Sequence, residues 1–190
     1  MDFSYTETQD MIRDTLARFL GDTYDFETRQ KFINSDSGRD PAIWTALAQE
    51  LGMLGASFAE DHGGLGGGAL ENAIIMEELG KVIAIEPYLP TVVIAGGALK
   101  AVGGAQADAV IPEIIAGNAI IAFAYAEAQA RYDVANLRTT VKKDGAGYLL
   151  NGHKGVVYAA PWATHLLVTA RTGGNAPRPG GVSLFLFDAN

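Results

Sequence analysis

The chain has 190 residues, 48% of them hydrophobic and 19% charged, which is enough apolar material for a buried core and too little charge for disorder to be the default. Its 14 Lys and Arg against 22 Asp and Glu leave a formal net charge of −8, arguing against a protein that grips nucleic-acid phosphates through a basic face. Cysteine is absent, which removes disulfides, thiolate nucleophiles and cysteine-ligated metals; His62, His153 and His165 lack ligand-like spacing, so no metal site is expected.

The opening Met1-Asp2-Phe3-Ser4-Tyr5 has neither the basic stretch nor the apolar core of a signal peptide. The most apolar segment, residues 91–99, falls far short of the ~20 residues a membrane helix needs. The expectation is a soluble, cytoplasmic protein with no membrane partner.

In chain order, a Thr6-x-x-Gln9 start resembling a capping box precedes Met11, Ile12, Leu16, Phe19 and Leu20 at helical spacing. Asp40-Pro41 opens a second helix with Trp44, Leu47 and Leu51 on one face, ending at Gly52. A third is expected over 69–82 with Leu70, Ala73, Ile74 and Leu79 inward, and two more over 87–102 and 107–116. After Gly117 the pattern changes. Residues 120–124, 137–141, 148–150, 166–171 and 182–187 read as strands, with hairpin signals at Asp144-Gly145 and Asn151-Gly152 and a loop over 173–181.

The expected fold class is therefore α+β: a helical domain over 1–117 followed by a β-domain over 118–190. The sequence stops just after the apolar run Ser183-Leu-Phe-Leu-Phe187, which would leave a hydrophobic sheet edge; further chain or another subunit is expected to cover it.

Local motifs taken singly do not define a reaction. The run from Gly63 to Ala69 formally contains G-x-G-x-x-A, but a dinucleotide fingerprint needs a preceding buried strand, and here a helix and Phe58-Ala-Glu-Asp-His62 come first. A tight loop between helices accounts for the glycines. Ser57 and Ser183 lack the nucleophile-elbow context of a hydrolase, and Glu77-Glu78 beside Lys81 reads as a solvated, partly paired helix face.

Three stretches in fixed order carry a resemblance. Phe58-Ala-Glu-Asp-His-Gly63-Gly64-Leu65-Gly66 followed by Glu77-Glu78-Leu79-Gly80-Lys81 is similar to the P-E-x-x-G-G-x-G and E-E-L-G-R/K runs of acyl-CoA dehydrogenases. Ala126-Glu127-Ala128-Gln-Ala130-Arg131-Tyr132-Asp133 stands where that family has T-E-P-x-A-G-S-D. Tyr148-Leu-Leu-Asn151-Gly152-His-Lys154-Gly-Val156-Val157-Tyr158, with Ala170-Arg171-Thr172 further on, resembles Y-x-L-N-G-x-K-x-W-I-T-N and A-R-T.

The resemblance covers nearly the whole chain. It implies a helical N-terminal domain, a β-barrel middle domain that is incomplete here, FAD as cofactor, and α,β-dehydrogenation of an acyl-CoA thioester as in fatty-acid β-oxidation, with electrons passed to an electron-transfer flavoprotein. It also implies a C-terminal helical bundle absent from this chain, and with it the catalytic base, so no catalytic residue is assigned. Glu127 matches a glutamate that belongs to a structural turn.

By the same resemblance, Phe123, Tyr125, Ala126, Arg131, Tyr132, Val156, Val157 and Tyr158 stand at the flavin, with Arg131 and Tyr132 also toward the acyl-CoA. The departures are specific: Ala126 lacks the family's threonine hydroxyl, Val156 replaces its tryptophan, and Arg131-Tyr132 replaces Gly-Ser. Such changes are similar to the small-subunit type of pimeloyl-CoA dehydrogenases, which form two-subunit assemblies with a large subunit. They imply a homo- or hetero-oligomer and a dicarboxyl or bulky acyl-CoA. An alternative reading is a non-catalytic structural subunit that has lost productive FAD binding.

Overall fold

A computed structural model describes residues 4–178 and 180–189; Met1–Phe3, Pro179 and Asn190, which fall within the two expected domains, lie outside the described residues. Two compact units divide after Asn118. No helix among the described residues is long and apolar enough to cross a membrane.

The first unit is helical. Helix α1 (Glu7–Thr23) starts on the capping box read from sequence: Thr6 Oγ1 accepts from the Gln9 amide at 3.3 Å and Gln9 Oε1 from the Thr6 amide at 3.0 Å. Ile12, Leu16 and Leu20 form its buried stripe, whereas Met11 is exposed. Helix α2 (Phe26–Ile33) was not evident in the sequence, because none of its residues is buried and no apolar stripe marks it; it rests on the Asp25 cap, which accepts from the Thr28 amide at 2.7 Å.

Helix α3 (Pro41–Thr45) runs straight into a π-helical turn, Ala46–Glu50, and burying Ile43, Trp44 and Leu47 fixes it against the core. Gly52 closes it at φ 66°. Helix α4 (Ala69–Lys81) packs on α1, with Ile74, Ile75 and Leu79 buried; Leu70 and Ala73, expected inward, are exposed. The Glu77-Glu78 reading needs a matching correction: Glu77 is solvated, but Glu78 is buried and bonds Lys81 at 2.6 Å. A π-helical segment, Leu89–Ala95, continues as α5 (Gly96–Val102), and α6 (Ala105–Ile115) completes the unit.

The glycine run is a packing device. A Cβ on Gly64 would sit 2.2 Å from the Phe58 carbonyl oxygen, and one on Gly67 2.5 Å from that of Ala56, while Gly63 and Gly66 hold positive φ. Gly64→Ala is therefore expected to destabilise the first unit by about 1–3 kcal/mol, since backbone rather than a rotatable side chain must yield. Urea denaturation measures it, and a change within error of zero would remove the close-approach argument.

The second unit is a five-stranded sheet. Strand β4 (His165–Arg171) is its spine, pairing along its whole length with antiparallel β5 (Val182–Asp188). The other side of β4 is shared: β1 (Ile121–Ala124) runs parallel to its first half, and β2 (Thr140–Asp144) touches it at Thr140↔Arg171. Strand β3 (Gly147–Asn151) completes the β2 hairpin across Gly145 and Ala146, as the Asp144-Gly145 pair foretold.

Two expectations are corrected. The sheet is open, because β3 and β5 end it without pairing to each other, so the expected barrel is not closed among the described residues. Asn151-Gly152 makes no hairpin; Gly152 instead lies against Thr139, where a Cβ would meet Thr139 Oγ1 at 2.3 Å.

Candidate functional site

The second unit gathers two of the three resemblance segments around one buried ion pair. Lys154 Nζ lies 2.8 Å from Glu127 Oε1, with side chains only 8% and 2% exposed. Glu127 also accepts from the Gln129 amide nitrogen Nε2 at 2.7 Å and from the backbone amides of Arg138 at 2.7 Å and Thr139 at 3.1 Å. Lys154 donates further to Thr169 Oγ1 at 3.0 Å and the Tyr125 carbonyl at 3.5 Å. Burial opposes charge on Glu127, but the bonds from Lys154, Thr139, the Arg138 amide and Gln129 outweigh it and hold the carboxyl well below the usual range. Burial pulls the Lys154 ammonium down, and Glu127 partly restores it.

Glu127 is thus a structural anchor, with its acceptor sites used inside the protein. The Asn151-Gly152-x-Lys154 spacing acquires a physical reason: Gly152 lets the chain pass against Thr139, and Lys154 two residues later reaches the carboxylate that Thr139's amide also binds.

This clamp positions the expected flavin segments. The Gly155 amide donates to the Ala126 carbonyl at 3.0 Å, so the two segments meet at Ala126 and Gly155. Phe123 lies in β1 with its ring 5.4 Å from that of Tyr125. Val156 and Tyr158 are 75% and 62% exposed, and Val157 is half-buried. The amides of Ala126, Val156, Val157 and Tyr158 donate to no acceptor among the described residues, and the rings of Tyr125 and Tyr158 are exposed.

Backbone strain marks the same places. Val156 has φ 53°, a region a β-branched residue avoids, and Arg131 has φ 49°, uncommon for any residue but glycine. Arg131 and the fully exposed Tyr132 lie on the turn following Glu127, held by the Ala130 amide to the Glu127 carbonyl and the Asp133 amide to the Ala130 carbonyl. Arg131 makes no ion pair among the described residues, so nothing within the unit occupies its charge. No group of three or more metal-ligating side chains occurs among the described residues.

Sequence reasoning missed the supporting roles of Gln129, Thr169 and Arg171. Arg171 is 7% exposed and donates to the carbonyls of Ala135 at 2.7 Å, Leu137 at 3.4 Å, Gly173 at 3.3 Å, Arg178 at 3.1 Å and Gly180 at 3.0 Å. Its place in the apolar strand run Leu166-Leu-Val-Thr-Ala-Arg171 was the available signal, since an arginine there is buried with partners or misplaced.

Comparison with known proteins supplies the family context. Residues 6–118 match the model described as acyl-CoA dehydrogenase, N-terminal domain, and residues 122–190 that described as acyl-CoA dehydrogenase, middle domain. The chain is 35% identical over 175 residues to a protein named acyl-CoA dehydrogenase FadE29 from Mycobacterium tuberculosis (strain ATCC 25618 / H37Rv), covering 85% of this chain and 45% of that one. It is similar in structure to the FAD complex of PigA, with TM-score 0.82, 28% identity, and coverage of 99% of this chain and 49% of that chain. It is similar also to the ChsE4-ChsE5 complex from Mycobacterium tuberculosis, with TM-score 0.81, 26% identity, and coverage of 100% and 49%. The chain spans less than half the length of each of these.

Proposed function

The chain belongs to the acyl-CoA dehydrogenase family, of which it carries the N-terminal and middle domains, and from that premise we propose that it serves FAD-dependent α,β-dehydrogenation of an acyl-CoA thioester. The observation that carries this reading is the meeting of Ala126 and Gly155 beside the Glu127–Lys154 pair, with the amides of Ala126, Val156, Val157 and Tyr158 unengaged and the rings of Tyr125 and Tyr158 exposed. Those donors suit the acceptor-rich polar edge of an isoalloxazine, and Phe123 and Tyr125 offer apolar ring surface beside it. When bound, FAD supplies the hydride acceptor for oxidation of the Cα–Cβ bond.

The chain's own contribution is binding and orientation. Main-chain groups of Ala126, Val156 and Val157 stand in for the threonine hydroxyl and the indole that these positions lack, and Tyr158 still offers a hydroxyl. Arg131 supplies a charge for a phosphate or carboxylate, and Tyr132 lines the acyl-CoA side. No residue here is assigned as the base. The proposed assembly is an oligomer with a larger dehydrogenase subunit, handing electrons to an electron-transfer flavoprotein.

The test uses the full-length protein with any co-expressed partner. It should purify yellow, with flavin absorbance at roughly 450 nm. A colourless assembly that takes up no added FAD overturns the enzyme reading and leaves the non-catalytic subunit, which the loss of the threonine at Ala126 and of the aromatic at Val156 favours.

Arg131 has its own expected result. Arg131→Ala should reduce kcat/KM for dicarboxyl-CoA substrates roughly tenfold more than for plain acyl-CoA, the size of one charge-assisted contact. Equal losses would assign Arg131 to a phosphate common to both.

A further inference from the structure

The turn between β4 and β5 carries a cavity of about 760 Å³, with Gly174, Asn175, Arg178 and Gly181 in its lining. Beside it lies a buried charge with no counter-ion. Arg171 is 7% exposed and donates to the carbonyls of Gly173, Arg178 and Gly180 at 3.3, 3.1 and 3.0 Å, yet it forms no ion pair among the described residues. Carbonyl dipoles solvate such a cation but leave its net charge in place.

Those bonds also set which way the turn presents its donors. A trans peptide holds its N–H antiparallel to its C=O, and the peptides 173–174 and 180–181 are trans. With the Gly173 and Gly180 carbonyls turned to the guanidinium, the Gly174 and Gly181 amides point away from it. Neither amide donates to an acceptor among the described residues. Both glycines line the cavity and Arg171 does not, and both hold positive φ, 67° and 81°. Outward N–H ends with a cation behind them make a concavity suited to an anion.

The surroundings add to that charge. Arg178 is exposed on the cavity wall and has no ion pair among the described residues. In a chain of formal net charge −8, no Asp or Glu stands between Asp144 and Asp188. Asp188 pairs with His165 at the opposite end of the β4–β5 hairpin, 3.4 Å away. Asp133, near the 135–137 segment that Arg171 also binds, accepts from the Ala135 amide at 3.0 Å.

We infer that this turn is an anion site for a phosphate monoester, free or borne on a larger molecule, whose oxygens accept from the Gly174 and Gly181 amides and the Arg178 guanidinium. Two guanidinium charges and donors from separate directions match a dianion with three terminal oxygens better than a flat, singly charged carboxylate. The cavity exceeds a lone phosphate and leaves room for part of the molecule that bears it.

The site needs neither flavin nor thioester, so its test can fail while the dehydrogenase reading stands. Hydrogen exchange in the full-length protein, read at residue level by mass spectrometry, is measured with inorganic phosphate, acetate or chloride at one pH and ionic strength. Phosphate should slow exchange at Gly174 and Gly181 about tenfold relative to chloride, and acetate should do less. Arg178→Ala should raise the phosphate concentration for half-protection about tenfold, while Arg178→Lys keeps most of the effect. The Thr172 amide, bonded to the Gly181 carbonyl, should stay protected in both variants and so reports an intact turn.

Coenzyme A and dephospho-coenzyme A identify the source. Protection at lower concentration by the former assigns its 3′-phosphate as the group bound, and equal potency of the two leaves free phosphate as the ligand. No protection by phosphate beyond that of chloride overturns the inference. So does acetate acting as well as phosphate, or a phosphate effect that Arg178→Ala leaves unchanged.

Discussion

Glu127→Ala should destabilise the protein by about 3–5 kcal/mol, because it leaves the Lys154 ammonium buried with its carboxylate removed. Four hydrogen bonds end on that one carboxylate, two of them from the consecutive backbone amides of Arg138 and Thr139, and all four donors lose their acceptor together. Guanidinium denaturation monitored by circular dichroism reads the loss. The paired variant Glu127→Ala/Lys154→Met should recover a substantial part of it, since no charge is then stranded. If the single and double variants are equally unstable, the ion pair is not the source.

The same carboxylate sets an acid limit. Its folded pKa is depressed, so Glu127 binds protons less readily in the folded than in the unfolded chain. Its contribution is therefore complete above the unfolded carboxylate value of about 4.3 and is lost progressively as pH falls below it. Melting temperature should drop through that acid range in the wild type and be flatter there in Glu127→Gln.

What the sequence made legible follows from how the information is stored. The Thr6 capping box, the Asp40-Pro41 start and the Asp144-Gly145 turn are local devices in which neighbouring residues specify the conformation, and each stands where expected. Helix α2 has no buried face and so left no periodic trace. Asn151-Gly152 looks like a turn but answers to Thr139, thirteen positions away, and no local rule sees that contact. The open sheet has the same character: β4 takes β1 and β2 along one side, an arrangement set by long-range pairing and not by any strand's own pattern. At the candidate site, motif order brought out Ala126, Glu127, Lys154 and Val156, but the strain at Val156 and Arg131 is invisible in residue types. Glu86 sits in an apolar stretch, Ile85-Glu86-Pro87, and only its burial distinguishes it from an ordinary surface glutamate.

Arg171→Met should cost about 3–5 kcal/mol, an effect comparable to loss of Glu127 but localised differently. The guanidinium binds five backbone carbonyls and no carboxylate among the described residues, joining the 135–137 segment to the turn between β4 and β5. Hydrogen bonds from a charged donor contribute about 1.5–3 kcal/mol each, and only part of that sum is lost because exposed carbonyls regain water. Methionine fills the space of the stem and supplies no donor. Lysine keeps the charge but replaces a planar fork of five donors with three on one nitrogen, so Arg171→Lys should recover less than half of the loss. Hydrogen exchange separates this from general loosening: the Thr172 amide, which donates to the Gly181 carbonyl at 2.8 Å, should lose protection in both variants before the β4 interior does. Uniform loss across β4 and β5 would mean that Arg171 supports the whole sheet. Because the 135–137 segment leads directly to the Arg138 and Thr139 amides that hold Glu127, weakening Arg171 should also lower FAD occupancy of the assembled protein, with Glu127 and Lys154 themselves unchanged.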